Sequence, residues 1–152
     1  MKPVQAGRVS TTLDTIRRCN VALTPDIGAA NFTRPDGSPL PQDSKVAAYG
    51  QYAMFCPELV LLGMTYIYAG EADFGLELVR KHWQNLCLQQ GHIWDLPNMV
   101  RGDNGARTFG SDYYQNMMLW ALPAALAGQD LAASCAPGSL IGRLLSAGKA
   151  GG

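Results

Sequence analysis

The residues of this chain best suited to chemistry are crowded between His92 and Gln115. Two carboxylates (Asp95, Asp103), two guanidinium groups (Arg101, Arg107) and an indole (Trp94) fall in this window, and Asp112, Tyr113, Tyr114 and Gln115 follow directly. Pro97, Gly102, Gly105 and Gly110 punctuate the stretch, which reads as a long loop between helices. Loops beyond roughly 12–15 residues are uncommon in compact domains and are usually functional or disordered. Disorder goes with few aromatics and high net charge, and neither holds here. An ordered loop mixing aromatic faces with carboxylates, amides and guanidinium groups suits a polyhydroxylated ligand such as a sugar.

Each residue also has a plainer reading. Asp112 follows Ser111, a candidate N-cap, so its charge can simply favour a helix N-terminus; otherwise it bonds a ligand hydroxyl. Asp95 either caps a turn or accepts from a ligand beneath the indole of Trp94, which could itself be core. Arg101 and Asp103 flank Gly102, a spacing that allows an internal salt bridge holding the loop. Arg107 follows the turn signal Asn104-Gly105 and could be a solvated charge. Tyr113, Tyr114 and Gln115 cannot all face inward on one helix, so one tyrosine and Gln115 are expected to face a cavity. Glu58 is the other carboxylate expected to point inward, with helix-dipole stabilisation as its alternative. Nothing in the spacing requires a catalytic pair such as Asp95 with Asp112. The expected substrate-binding set is Trp94, Asp95, Arg101, Asp103, Arg107, Asp112, Tyr113 and Gln115, with no catalytic residue, no metal ligand and no cofactor.

The chain of 152 residues is one domain's worth, 47% apolar and 16% charged, with twelve basic and twelve acidic side chains. That balance argues against nucleic acid or an anionic membrane as partner, since both need clustered Lys and Arg. No apolar run approaches the roughly 20 residues of a membrane span. Met1 to Arg8 lacks the apolar core of a signal peptide, so a cytoplasmic location is the default expectation. Cys19, Cys56, Cys87 and Cys135 are far apart and form no metal motif with His82 and His92; four buried thiols are expected.

Helix signals dominate the elements that must carry the loop. Ser10 or Thr11 can cap a first helix with Leu13, Ile16, Asn20 and Val21 inside and Arg17 and Arg18 outside. Residues 24–44 are rich in Pro, Gly, Asp and Ser and read as a surface connection. A second helix is expected from Lys45 through Tyr49, Tyr52, Ala53 and Phe55, with Pro57 kinking it or opening a new helix at its first turn. Gly70 should end the apolar run that starts at Pro57, and Gly91 a third helix over 72–89. A fourth starts at Ser111, carries Tyr114, Met117, Met118, Ala121 and Leu122, and bends at Pro123. A last amphipathic piece spans 139–147. The sum is an all-α chain of roughly four to five helices joined as hairpins.

Three segments carry a family resemblance. Thr12-Leu-Asp-Thr-Ile-Arg-Arg18, Trp94-Asp-Leu-Pro-Asn-Met-Val-Arg-Gly-Asp103 and the run from Gly110 to Ala125 resemble the C-terminal part of the catalytic domain of glycoside hydrolase family 116. That family includes β-glucosidases and the non-lysosomal glucosylceramidase. The match is most specific at Asp112-Tyr-Tyr-Gln-Asn-Met-Met-Leu-Trp120 and extends from about Ser10 to Gly148. The resemblance implies an (α/α)6 toroid with the sugar site at one mouth. It also implies a retaining mechanism with two carboxylates about 5–5.5 Å apart, both upstream of the matched region. On this reading residues 1–152 are a single-domain, C-terminal fragment of a β-glycoside hydrolase, inactive or very weak alone. It supplies sugar-subsite residues, and its partners are a β-glycoside, the missing N-terminal part and possible second copies of itself. The alternative is a free-standing helical carbohydrate-binding or interaction module, with a small unrelated all-α enzyme ranked last. Exposed apolar surface separates the first two, because a partial toroid leaves helix faces uncovered.

Overall fold

The computed structural model describes residues 6–46, 49–111 and 118–149. Helix α1 (Ala6–Ile16) continues into a π-helical stretch, Arg17–Val21. Ser10 and Thr11 lie within this helix instead of capping it. The reason is local: the hydroxyls of Thr11, Thr12 and Thr15 each donate to the carbonyl four residues back, at 2.8–2.9 Å, and so do not compete with the helix. Arg17 is not on the outside either. Its guanidinium lies 3.8 Å from the ring centre of Phe74 and 5.4 Å from that of Tyr66, and pairs with Glu71. The planar cation stacks on both aromatic faces while the carboxylate holds its edge.

The described residues of 24–50 form no helix or strand, but they are more than a surface connection. Ile27, Ala29 and Ala30 enter the core. The Asn20 amide donates to the Ala30 carbonyl at 2.8 Å, and the Asn31 side-chain oxygen accepts from the Phe55 N–H at 2.9 Å. Gly28 makes the approach possible, since a β-carbon there would stand 2.5 Å from the Met54 sulfur.

The expected helix over 45–55 is replaced at its end by a strand. β1 (Ala53–Phe55) pairs antiparallel with β2 (Met99–Arg101), which pairs with β3 (Arg107–Phe109), in the order β1-β2-β3. The described residues are therefore helix-rich with a small three-stranded sheet, and the long loop is largely a hairpin. Strands of three residues are too short to show an alternating pattern in sequence. They exist here because Met54 and Val100, both fully buried, pair across the β1–β2 ladder in the middle of the core.

α2 (Cys56–Tyr68) opens with Pro57 in its first turn, where the missing N–H costs little, and Gly70 closes it at φ +91°. α3 (Ala72–Trp83) runs into a second π-helical stretch, Gln84–Gln89, and Gly91 closes that at φ +75°. α2 and α3 form a tight hairpin: a β-carbon on Gly63 would stand 2.4 Å from a Val79 methyl, and one on Gly75 would stand 2.4 Å from the Gly63 carbonyl oxygen. The main core gathers Leu13, Ile27, Met54, Leu59, Tyr66, Leu78, Leu86 and Val100. Tyr66 is sealed in it with its hydroxyl donating to the Leu13 carbonyl at 2.7 Å. His82 is also buried, and neither ring nitrogen has a hydrogen-bond partner among the described residues.

Residues 118–121 form a 3-10 turn ahead of α4 (Leu122–Leu126), which has Pro123 in its first turn; residues 112–117 of the fourth helix expected from Ser111 lie outside the described residues. A second cluster joins Ala125 of α4 to Val60, Met64 and Ile67 of α2. α5 (Leu131–Ser134) is capped by Asp130, and α6 (Leu140–Lys149) falls where the last amphipathic piece was expected. Cys19 and Cys56 are buried thiols, whereas Cys87 is partly exposed and Cys135 exposed, so the expectation of four buried thiols holds for two. Burial pushes the Cys56 thiol up to about 12, leaving it protonated and inert. No helix among the described residues is long and apolar enough to cross a membrane.

Candidate functional site

The β2–β3 hairpin is the element that carries the chemistry. Its tip, 102–106, is closed by Arg101 N–H to Ala106 O at 2.9 Å and Gly105 N–H to Arg101 O at 2.7 Å. Gly105 has φ +75°, and a β-carbon there would meet the Asn85 amide at 2.3 Å. The Gly102 N–H donates to the Tyr52 carbonyl at 2.7 Å, and a β-carbon on Gly102 would press on the Thr24 methyl at 2.6 Å. The two glycines thus let the tip lie directly on α3's continuation and on the turn after α1.

That docking forms a polar cavity of about 330 Å³ between Thr24, Pro25, Asp26, Tyr52, Gly102 and Asp103. The turn at its back is fixed by the Thr24 carbonyl, which accepts from Gly28 N–H at 3.0 Å, and by Lys81 of α3, which donates to the Pro25 carbonyl at 3.0 Å. Arg101 grips Asp103 in a two-point ion pair, Nε to Oδ1 at 2.9 Å and Nη2 to Oδ2 at 2.5 Å. This bond is the main reason the Asp103 carboxyl sits below the ordinary carboxylate range and the Arg101 guanidinium above its own. A carboxyl lowered in this way favours its ionised, accepting form and is a poor general acid. Such a group binds hydroxyls; it does not protonate leaving groups.

The other expected site residues are distributed differently. Asp95 and Arg107 form their own ion pair at 2.8 Å, with Arg107 also donating to the Asp95 carbonyl. The pair braces the chain ahead of β2 against β3 and does not line the cavity. Trp94 is 88% exposed, which excludes a core role and equally places its indole outside the cavity. Glu58 is exposed at the lip of a separate cleft instead of pointing inward. Asp112, Tyr113 and Gln115 lie outside the described residues, as does Tyr114. Of the expected set, then, Arg101 and Asp103 belong to one site, and Trp94, Asp95 and Arg107 do not join it.

The polar cavity residues Tyr52, Thr24 and Asp26 are not in the expected site set: Tyr52 falls in the expected second helix, and Thr24 and Asp26 fall in the expected surface connection. The Thr24-Pro25-Asp26 turn following a helix was the available signal for a built loop. Among the described residues no group of His, Cys, Asp and Glu is arranged to hold a metal ion. No protein-family model matches this chain, and no curated protein matches it either.

Proposed function

We infer that the cavity between Tyr52, Asp26 and Asp103 binds carbohydrate. On this reading the chain is the C-terminal, subsite-bearing portion of a retaining β-glycoside hydrolase of the family-116 type. The observation that carries it is Asp103, fixed and ionised by Arg101, in a cavity that also presents a second carboxylate and a tyrosine. Sugar hydroxyls are donors in search of fixed acceptors, and an aromatic side chain offers an apolar face to the C–H side of a pyranose. The volume lies at the small end of ligand pockets, about 300–1,000 Å³, which fits one sugar ring and not a long oligosaccharide.

Apolar exposure favours part of a larger helical domain over a free-standing module. Trp120 is 81% and Leu88 66% exposed, and Trp83, Leu61 and Leu126 are each close to half exposed. These residues sit on or beside α2, α3 and α4, the pairwise-packed helices that an (α/α)6 ring would cover with further hairpins.

Nitrogen-15 NMR titration with methyl β-glucoside and cellobiose tests the reading. The expected result is millimolar binding with saturable shifts at Tyr52, Gly102 and Asp103. Asp103→Asn should weaken it about tenfold, as loss of a charged hydrogen bond implies. Absence of shifts at those three residues in the wild type refutes the assignment. Turnover of a p-nitrophenyl β-glucoside by the chain alone would refute the placing of the catalytic carboxylates elsewhere.

A further inference from the structure

A second, independent cleft lies between α1 and α2. Its polar end, about 270 Å³, is lined by Asn20, Asn31 and Glu58 together with Ile16, Leu59 and Leu62. Ile16 and Leu62 also line an adjoining, mainly apolar trough of about 500 Å³ that continues past Leu13, Thr65 and Val9, with Thr12 and Arg8 at its far end, away from Glu58. From Arg8 to Asn20 the two together run roughly 18 Å at the rise of a helix.

Glu58 forms no ion pair with any described residue. Its place in the first turn of α2 explains why its charge is tolerated. It does not explain why two amides line the same cavity. Asn20 spends its NH2 on the Ala30 carbonyl and Asn31 its oxygen on the Phe55 N–H. Among the described residues the Asn20 oxygen and the Asn31 NH2 make no further hydrogen bond, and both side chains line the cavity that Glu58 lines. A lone negative charge with a spare acceptor, at the head of an apolar trough, is complementary to a cation on an apolar tail. We propose that this cleft binds a small cationic amphiphile, a primary ammonium seated at Glu58 and Asn20 with its alkyl chain along Ile16, Leu62 and Leu13. The site shares no lining residue with the Asp103 cavity, so the two readings stand or fall separately.

Calorimetry on the full chain with hexylammonium, octylammonium and octanol decides it. Octylammonium should bind saturably and about tenfold more tightly than hexylammonium, since each methylene that reaches the trough contributes severalfold. Glu58→Gln, a surface change, should weaken octylammonium about tenfold and leave octanol unaltered. Leu62→Asn should weaken both. Equal affinity of the wild type for octylammonium and octanol overturns the proposal. Indifference of the ammonium to Glu58→Gln overturns it too, as does absence of saturable binding.

Discussion

His82 makes a stability prediction that can be worked through in numbers. It lies on the inner face of α3 in a pocket shared with Val60, Val79, Leu86, Leu96 and Leu119, and neither ring nitrogen is hydrogen-bonded among the described residues. Burial alone lowers its pKa from 6.5 to about 4. The folded protein therefore resists protonating this ring, while the unfolded chain protonates it readily. Between those two values the unfolded state binds more protons, so stability rises with pH. The contribution is fully present above about pH 7, is lost as pH falls from 6.5 toward 4, and levels off below. A shift of this size, at 1.36 kcal/mol per unit, is about 3 kcal/mol. That is a large share of the roughly 5–15 kcal/mol of a typical domain. Urea unfolding at intervals from pH 7 to 4, on the wild type and on His82→Leu, isolates the effect. The carboxylates titrate in both proteins, so the difference belongs to the imidazole. The wild type should lose about 3 kcal/mol more than the variant over this range. Parallel stability curves, or a His82 Cε1–H resonance that titrates near 6.5 in the folded protein, would refute the reasoning.

Further outcomes follow from other contacts. Gly63→Ala places a methyl 2.4 Å from Val79 and 3.0 Å from the Gly75 carbonyl oxygen, so it should destabilise by about 1–3 kcal/mol in denaturant titration. Gly7→Ala, with nothing within 4 Å and φ in the ordinary range, should instead be neutral or stabilise by up to about 1 kcal/mol. Arg17→Lys should cost about 1 kcal/mol in the same assay, because an ammonium cannot reproduce the flat stack on Phe74; an unchanged midpoint would remove Arg17 from the core argument. Asp103→Asn should leave stability within about 1 kcal/mol, since the ion pair with Arg101 is exposed, and this separates its effect on sugar binding from any loss of fold.

The long amphipathic helices were legible because their apolar spacing and glycine stops are local signals. Pro57, Gly70 and Gly91 each mark the boundary they were expected to mark. The sheet was not legible. Tyr49, Tyr52, Ala53 and Phe55 satisfy a helical spacing, and only pairing with distant Met99–Arg101 selects the extended form. Arg101 and Asp103 could be paired from their spacing around Gly102, since their contact is local. Asp95 finding Arg107 across the hairpin, and Asp26 meeting Asp103 at one cavity, depend on where the chain returns, which no window of sequence contains. Thr11 misled for the opposite reason: a residue good at starting a helix is equally content one turn inside it when its hydroxyl bonds backward.

The contact between Gly63 and Gly75 has a mechanical side. Two backbones that touch without side chains between them have no cushion to compress and no alternative seating. Advancing either helix by one position brings Met64 or Leu76 where only hydrogen fits. α2 and α3 must then travel as one beam, and any rearrangement of the chain has to carry the pair intact.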